Sequence, residues 1–264
     1  MIMKKAVLVV SFGVSNQETR ERTIAACERK IKQSLSEYDV YQAYTSIRII
    51  EKIKKREKIK IDHPVEALKK IYESGYKEVL IQPLYLVCGE EFKKLQRQVE
   101  SYRHHFRVLI LSQPLLQGPD DFLPVAKAIK KQLPVQTSGE AIVLMGHGTS
   151  SESQIVYPML DTVLRANGVN AFVGTLKGEP GIETLMKRLK EQQVKMVILA
   201  PLLLATGYHV KRDMIADQDT SWKNQLEKHG FKVQVFLQGL GENPEIQHRF
   251  VNLISRYING EQTH

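Results

Sequence analysis

The chain has 264 residues, 42% apolar and 25% charged, with 16 Gly and 10 Pro spread along its length, so it can bury a substantial core without disulfides or structural metals. Two cysteines, Cys27 and Cys88, with no CxxC and no Cys/His cluster exclude a zinc knuckle or a redox pair. The net charge of +9 calls for an anionic partner, yet the chain shows no aromatic-basic interleaving and only one Trp, so nucleic acid is not expected.

The opening MIMKKAVLVVSFG has an apolar run too short for a membrane span and no small-residue cleavage site after it, and reads as a first strand. Apolar runs rich in Val, Ile and Leu then alternate with helical patterns, the signature of βα units around parallel sheets. Strands are expected near 6–10, 40–45, 78–84 and 108–112. Cys27 falls at helical spacing from Ile24, Ile31 and Leu35 and reads as core. The lysine-rich run EKIKKREKIK at 51–60 reads as a solvated helix face. A helix starting at Pro64, with Val65, Leu68 and Ile71 on one face, stops at Gly75.

The second half repeats the order, with strands expected near 142–145, 171–176, 196–203 and 233–237. The duplication is visible residue by residue. EVLIQP at 78–83 followed by LYLVCG lies over MVILAP at 196–201 followed by LLLATG, at an offset of 118. VLVVSFG at 7–13 lies over IVLMGHG at 142–148, at an offset of 135. The polar turn PVQTSG at 134–139 suggests a boundary, giving expected domains 1–135 and 136–264. The fold class is therefore α/β: two similar flavodoxin-like (Rossmann-like) domains, each a parallel sheet flanked by helices, expected to face each other across an inter-domain cleft. Ligands of such sheets bind outside the carboxyl ends of the strands. A last amphipathic helix carries Ile246, Phe250, Leu253, Ile254 and Tyr257.

Of eight histidines, His147 and His209 each follow a strand of the second half and are expected at the same sheet end. Gly146 and Gly148 beside His147 allow close backbone approach. A single strand-end histidine is as easily a satisfied polar cap; two at equivalent ends point to a ligand or metal site. The offsets place Glu91 and Phe12 at the positions of the first half that match His209 and His147. Glu90 and Glu91 also suit the first turn of a helix, where the macrodipole favours carboxylates. His63, His104, His105, His229, His248 and His264 read as surface.

GxGxxG after a strand, the P-loop and the G-x-S-x-G elbow are all absent from the sequence. Gly146-His147-Gly148 is similar to the histidine motif of the phosphohistidine phosphatases, but their preceding arginine is here a glycine.

Nearly end to end, the sequence resembles the anaerobic cobalt chelatases of cobalamin synthesis, the CbiK type of sirohydrochlorin cobaltochelatase within the class II chelatases. The resemblance is carried by KKAVLVVSFG at 4–13, Thr45-Ser46, GEEF at 89–92, MGHG at 145–148, GYHVKRDM at 207–214, DTSWK at 219–223 and GLGENP at 239–244. It implies His147 and His209 as metal ligands, His147 also as proton acceptor, and Glu91 as an active-site carboxylate. Ser11, Phe12, Gly13 and Glu91 are the expected substrate-binding positions. Relatives often carry a metal-binding glutamate where this chain has Lys177; Glu179, two residues on, is the alternative third ligand.

The expected activity is insertion of Co²⁺ into sirohydrochlorin, with Fe²⁺ or Ni²⁺ chelation for sirohaem or a related pathway, or a non-catalytic metal or tetrapyrrole carrier, as alternatives. No permanently bound cofactor is expected, since the divalent metal is a substrate. The expected setting is cytoplasmic, without membrane or nucleic acid, and a homo-oligomer is allowed.

Overall fold

The computed structural model describes residues 4–260, so His264 lies outside the described residues. The chain forms two compact units, one of residues up to Gln117 together with the segment from Pro244 onward, the other Gly118–Asn243.

In the first unit the elements run β1 (Lys5–Ser11), α1 (Gln17–Arg22), α2 (Ile24–Ser34), β2 (Asp39–Tyr44), α3 (Ile47–Glu57), α4 (Pro64–Glu73), β3 (Glu78–Pro83), α5 (Glu90–Glu100) and β4 (Val108–Leu111). The second contains α6 (Pro119–Gln132), β5 (Glu140–Gly148), α7 (Val156–Ala166), β6 (Ala171–Lys177), α8 (Ile182–Glu191), β7 (Met196–Pro201), α9 (Trp222–Lys228) and β8 (Lys232–Val235). The final helix, α10 (Pro244–Ile258), returns to the first unit.

Each unit is built on a four-stranded parallel sheet, ordered β2-β1-β3-β4 in the first and β6-β5-β7-β8 in the second. The inner strands are almost wholly buried, which is why they read as continuous apolar runs and not as alternating ones. Cys27 is buried on α2, as its spacing requires, and α3 exposes its lysines around the single buried Ile53.

The duplication extends to hydrogen-bond register. Val10 pairs with Pro83 in one unit and Met145 with Pro201 in the other. Leu84 N–H donates to Val10 O at 2.7 Å, and Leu202 N–H to Met145 O at 2.8 Å. The loops that follow are matched too: Gly89 N–H reaches Val87 O, and Gly207 N–H reaches Ala205 O, both at 2.9 Å.

The units divide elsewhere than at 135/136. Helix α6 packs on α7, and Asn243 Nδ2 donates to Ala128 O at 2.8 Å, tying α6 to the end of the second unit. Helix α10 packs on α2 and β3 through a stripe that includes Ile246, Phe250 and Ile254. The segment 134–139 is a turn inside the second unit.

Candidate metal-transfer site

His147 is the penultimate residue of β5 and is held by its glycines. A Cβ at Gly146 would lie 2.6 Å from Cε1 of the Tyr157 ring, so only glycine lets that ring close on the strand. Gly148 has φ +76°, and a Cβ there would come within 1.9 Å of Lys177 O. The Tyr157 hydroxyl accepts the Gly148 N–H at 3.2 Å. Gln154 completes the frame: its Oε1 accepts Thr149 N–H at 2.8 Å, and its Nε2 donates to Thr175 Oγ1 at 3.0 Å and Glu179 O at 2.7 Å.

His209 stands at the start of a single π-helical turn, Val210–Met214, that follows β7. Buried Val210 and Met214 pin the turn to the core beside Trp222 and Leu226. Such turns occur frequently at functional sites.

The two imidazoles meet edge to face, with centroids 4.7 Å apart and an interplanar angle of 72°. Nδ1 of His147 lies 3.0 Å from Gly148 O, and Nδ1 of His209 lies 2.7 Å from Asp213 Oδ2. A carbonyl and a carboxylate can only accept, so both Nδ1 atoms carry protons, and in the neutral form of each ring the lone pair lies on Nε2. The pair is thereby set in the tautomer that offers two Nε2 donors. A carboxylate bonded to a ligand histidine also fixes its ring orientation and raises its basicity.

Among the described residues, no group of three or more His, Cys, Asp or Glu side chains is placed to hold a metal ion. Lys177 ends β6 opposite Gly148 and is exposed. The Glu179 carboxylate is engaged locally: Oε2 accepts Gly181 N–H at 2.9 Å and Thr184 Oγ1–H at 2.8 Å, and these two donors hold it below the usual carboxylate range.

In the first unit, Glu91 sits in the opening turn of α5 and accepts Lys94 Nζ at 2.8 Å. Its backbone environment matches that of His209: Lys93 N–H donates to Gly89 O as Lys211 N–H donates to Gly207 O. Ser11 is buried at the end of β1, Phe12 is 49% exposed, and Gly13 has φ +91° against the Tyr44 ring. Of the remaining histidines, His104, His105, His229 and His248 are exposed and His63 caps α4. Sequence reasoning did not single out Asp213, Tyr157 or Gln154. For Asp213 a signal existed, its four-residue spacing from His209.

Two duplicated four-stranded parallel α/β units, one of which brings two imidazoles together at the carboxyl ends of β5 and β7, define the class of fold to which the chain belongs. The chain belongs to the cobalt chelatase (CbiK) family, whose model matches residues 5–259. It is 38% identical over 257 residues to the sirohydrochlorin cobaltochelatase of Salmonella typhimurium, covering 97% of each chain. It is 30% identical over 242 residues to the sirohydrochlorin cobaltochelatase CbiKC of Nitratidesulfovibrio vulgaris, covering 90% of this chain and 85% of the relative. In fold it is similar to SirB from Bacillus subtilis with Fe³⁺, with a TM-score of 0.65 at 15% identity and 98% of each chain covered. It is also similar to CbiX, described as the terminal enzyme of sirohaem biosynthesis in denitrifying bacteria, with a TM-score of 0.57 at 18% identity, covering 98% of this chain and all of that one.

Proposed function

We propose that this chain inserts Co²⁺ into sirohydrochlorin as a step of anaerobic cobalamin synthesis, with His147 and His209 receiving the ion. The observation that carries the reading is the 4.7 Å imidazole pair with both Nδ1 protons committed to fixed acceptors. Two borderline donors bind Co²⁺, and equally Fe²⁺ or Ni²⁺, while leaving most of the coordination sphere to water and substrate. Release to a macrocycle that offers four nitrogens is then downhill.

Insertion exchanges the hydrated ion for two pyrrole N–H protons. Imidazole titrates near neutral pH and is suited to accept one of them. Because Nδ1 of His147 is already protonated, its Nε2 must serve both as metal ligand and as base, so the two roles follow one another in time. His147 holds the ion, loses it to the ring, then takes a proton at the same atom. Glu91 is assigned the relay of protons away from the ring; the internal duplication supports that choice. Ser11, Phe12 and Gly13 are assigned to substrate binding. Sirohydrochlorin bears many carboxylates, and the +9 chain provides the field to attract it. No helix among the described residues is long and apolar enough to cross a membrane. The reaction is assigned to the cytoplasm.

The test follows the absorbance of sirohydrochlorin with Co²⁺, Fe²⁺ and Ni²⁺ under multiple turnover. The expected result is many products per chain with Co²⁺, and loss of insertion in His147→Ala. Product that saturates at one per chain would make the protein a carrier, and full activity in His147→Ala would remove the histidine from the mechanism.

A further inference from the structure

Beside the imidazole pair lies an aromatic and cationic group with no part in holding a metal. Tyr208 precedes His209, is 63% exposed, and meets the His209 ring edge to face at 5.6 Å. Four residues on, the Arg212 guanidinium lies 5.5 Å over the Tyr208 ring, and its Nη1 donates to the Tyr208 hydroxyl at 2.6 Å. The nearest carboxylate to it is Asp213, 3.8 Å from Arg212 Nε, and that group is already bonded to His209. Arg212 lies within the π-helical turn Val210–Met214, anchored by buried Val210 and Met214, and Tyr208 lies two residues before that turn begins. Tyr208, His209 and Arg212 are therefore close in one short segment, and His209 in turn meets His147 of β5.

A guanidinium so near a site for M²⁺ costs metal affinity by charge repulsion. The cost is recovered only if the ligand that arrives with the metal is an anion. The guanidinium fork matches a carboxylate in two parallel hydrogen bonds, and the cation–π contact holds it ready before the ligand comes. Exposed aromatic area beside it suits the edge of a flat apolar macrocycle.

We propose that Tyr208 and Arg212 form a recognition ledge for the tetrapyrrole, Arg212 binding a peripheral carboxylate and Tyr208 presenting the guanidinium while covering the macrocycle edge. The ledge sets affinity for the organic substrate and leaves the metal to His147 and His209. This inference rests on the reading of the chain as a tetrapyrrole chelatase.

The experiment compares wild type with Arg212→Met, Arg212→Lys and Tyr208→Phe in three measurements: sirohydrochlorin binding without metal, by fluorescence titration; Co²⁺ binding without tetrapyrrole; and steady-state insertion. A charge-assisted contact at an exposed position corresponds to a rise of roughly 5- to 20-fold in Kd and KM for sirohydrochlorin in Arg212→Met. In that variant kcat should stay within about twofold of wild type and Co²⁺ binding should hold or tighten, since a repelling charge is removed; Arg212→Lys should recover part of the loss, and Tyr208→Phe should show a smaller rise. Unchanged sirohydrochlorin binding in Arg212→Met overturns the ledge. So does a loss of Co²⁺ binding equal to the loss of sirohydrochlorin binding, because that marks the arginine as a support of His209 through Asp213. If wild type neither binds sirohydrochlorin nor inserts metal, the proposed function itself fails, and that outcome is visible before any variant is compared.

Discussion

Asp213 Oδ2 and His209 Nδ1 are joined at 2.7 Å across the π-helical turn, which makes this carboxylate the orienting partner of one of the two imidazoles. Removing such a partner lets the ring rotate and shift tautomer, with losses of roughly 10- to 100-fold in metal affinity or activity. Asp213→Ala should show a loss of that size in Co²⁺ titration and in insertion rate. Asp213→Asn should lose less, because its Oδ1 still accepts from Nδ1. Equal losses in the two variants would mean that the negative charge matters more than the hydrogen bond.

Gly148 sets the other imidazole. At φ +76° an L side chain is strained, and the added Cβ would meet the Lys177 carbonyl, a backbone atom that can give way only by parting β5 from β6. Gly148→Ala should therefore lose roughly 3 kcal/mol or more in denaturant unfolding. Insertion should fall further than the folded fraction does, because His147 moves with the strand. Gly75 also has a positive φ, +84°, but meets nothing within 4 Å, so Gly75→Ala should lose only the strain of its backbone and leave insertion intact.

Much of this was legible in the sequence for definite reasons. Strands buried on both faces must be continuously apolar, so the inner strands β1, β3, β5 and β7 stand out as apolar runs, and the offset of 118 correctly forecasts that Pro83 and Pro201 share a register. The boundary was less legible. The amphipathic pattern of α10 tells that Ile246, Phe250 and Ile254 are buried, but either sheet could receive such a stripe, and only packing on α2 and β3 decides between them. Asp213 stayed hidden because a four-residue His–Asp spacing brings side chains together only if the segment coils. GYHVKRDM, opened by glycine and only one turn long, shows too little periodicity to establish that.

Lys177 and Glu179 separate two ideas about a third ligand. The Glu179 carboxylate is already satisfied by Gly181 N–H and Thr184 Oγ1–H, so Glu179→Gln should leave Co²⁺ affinity within about twofold while loosening the start of α8. Lys177 is exposed at the end of β6 beside β5, so Lys177→Glu replaces a cation with a carboxylate near the imidazoles and should tighten Co²⁺ binding. Isothermal titration of the apoprotein with Co²⁺ distinguishes these outcomes. A marked loss of affinity in Glu179→Gln would make it a ligand after all.

Electrostatic attraction of the substrate predicts a salt response. Screening shortens the reach of the protein's field from about 10 Å at 0.1 M to about 3 Å at 1 M. The second-order rate constant for insertion should fall several-fold over that range, while kcat at saturating sirohydrochlorin stays nearly constant. A flat response of kcat/KM would mean that the charge of +9 serves something other than substrate capture.

Glu28 on α2 predicts a pH dependence of stability separate from the chemistry. Burial, reinforced by the nearby charge of Glu21 and opposed by Arg29 and Arg20, pushes its carboxyl up to about 7. With its amide nitrogen facing Glu28, Gln42 comes within 3.3 and 3.2 Å of the two carboxylate oxygens, a weak neutral donor pair that does not replace lost water. The folded protein therefore holds a proton on Glu28 that the unfolded chain releases in the ordinary carboxylate range. Between those two values folding binds a proton, so stability is fully present below about pH 4.5 and declines as pH rises through about 7. The part assigned to this group is roughly 1–3 kcal/mol, allowing for its partial exposure. Glu28→Gln keeps the shape and removes the titration. Its unfolding free energy should exceed that of wild type at pH 8 and converge with it near pH 5, as read from urea denaturation at the two pH values. A wild-type advantage at pH 8 would show that the ionised carboxylate is stabilising in place, and that Gln42 and the two arginines outweigh burial.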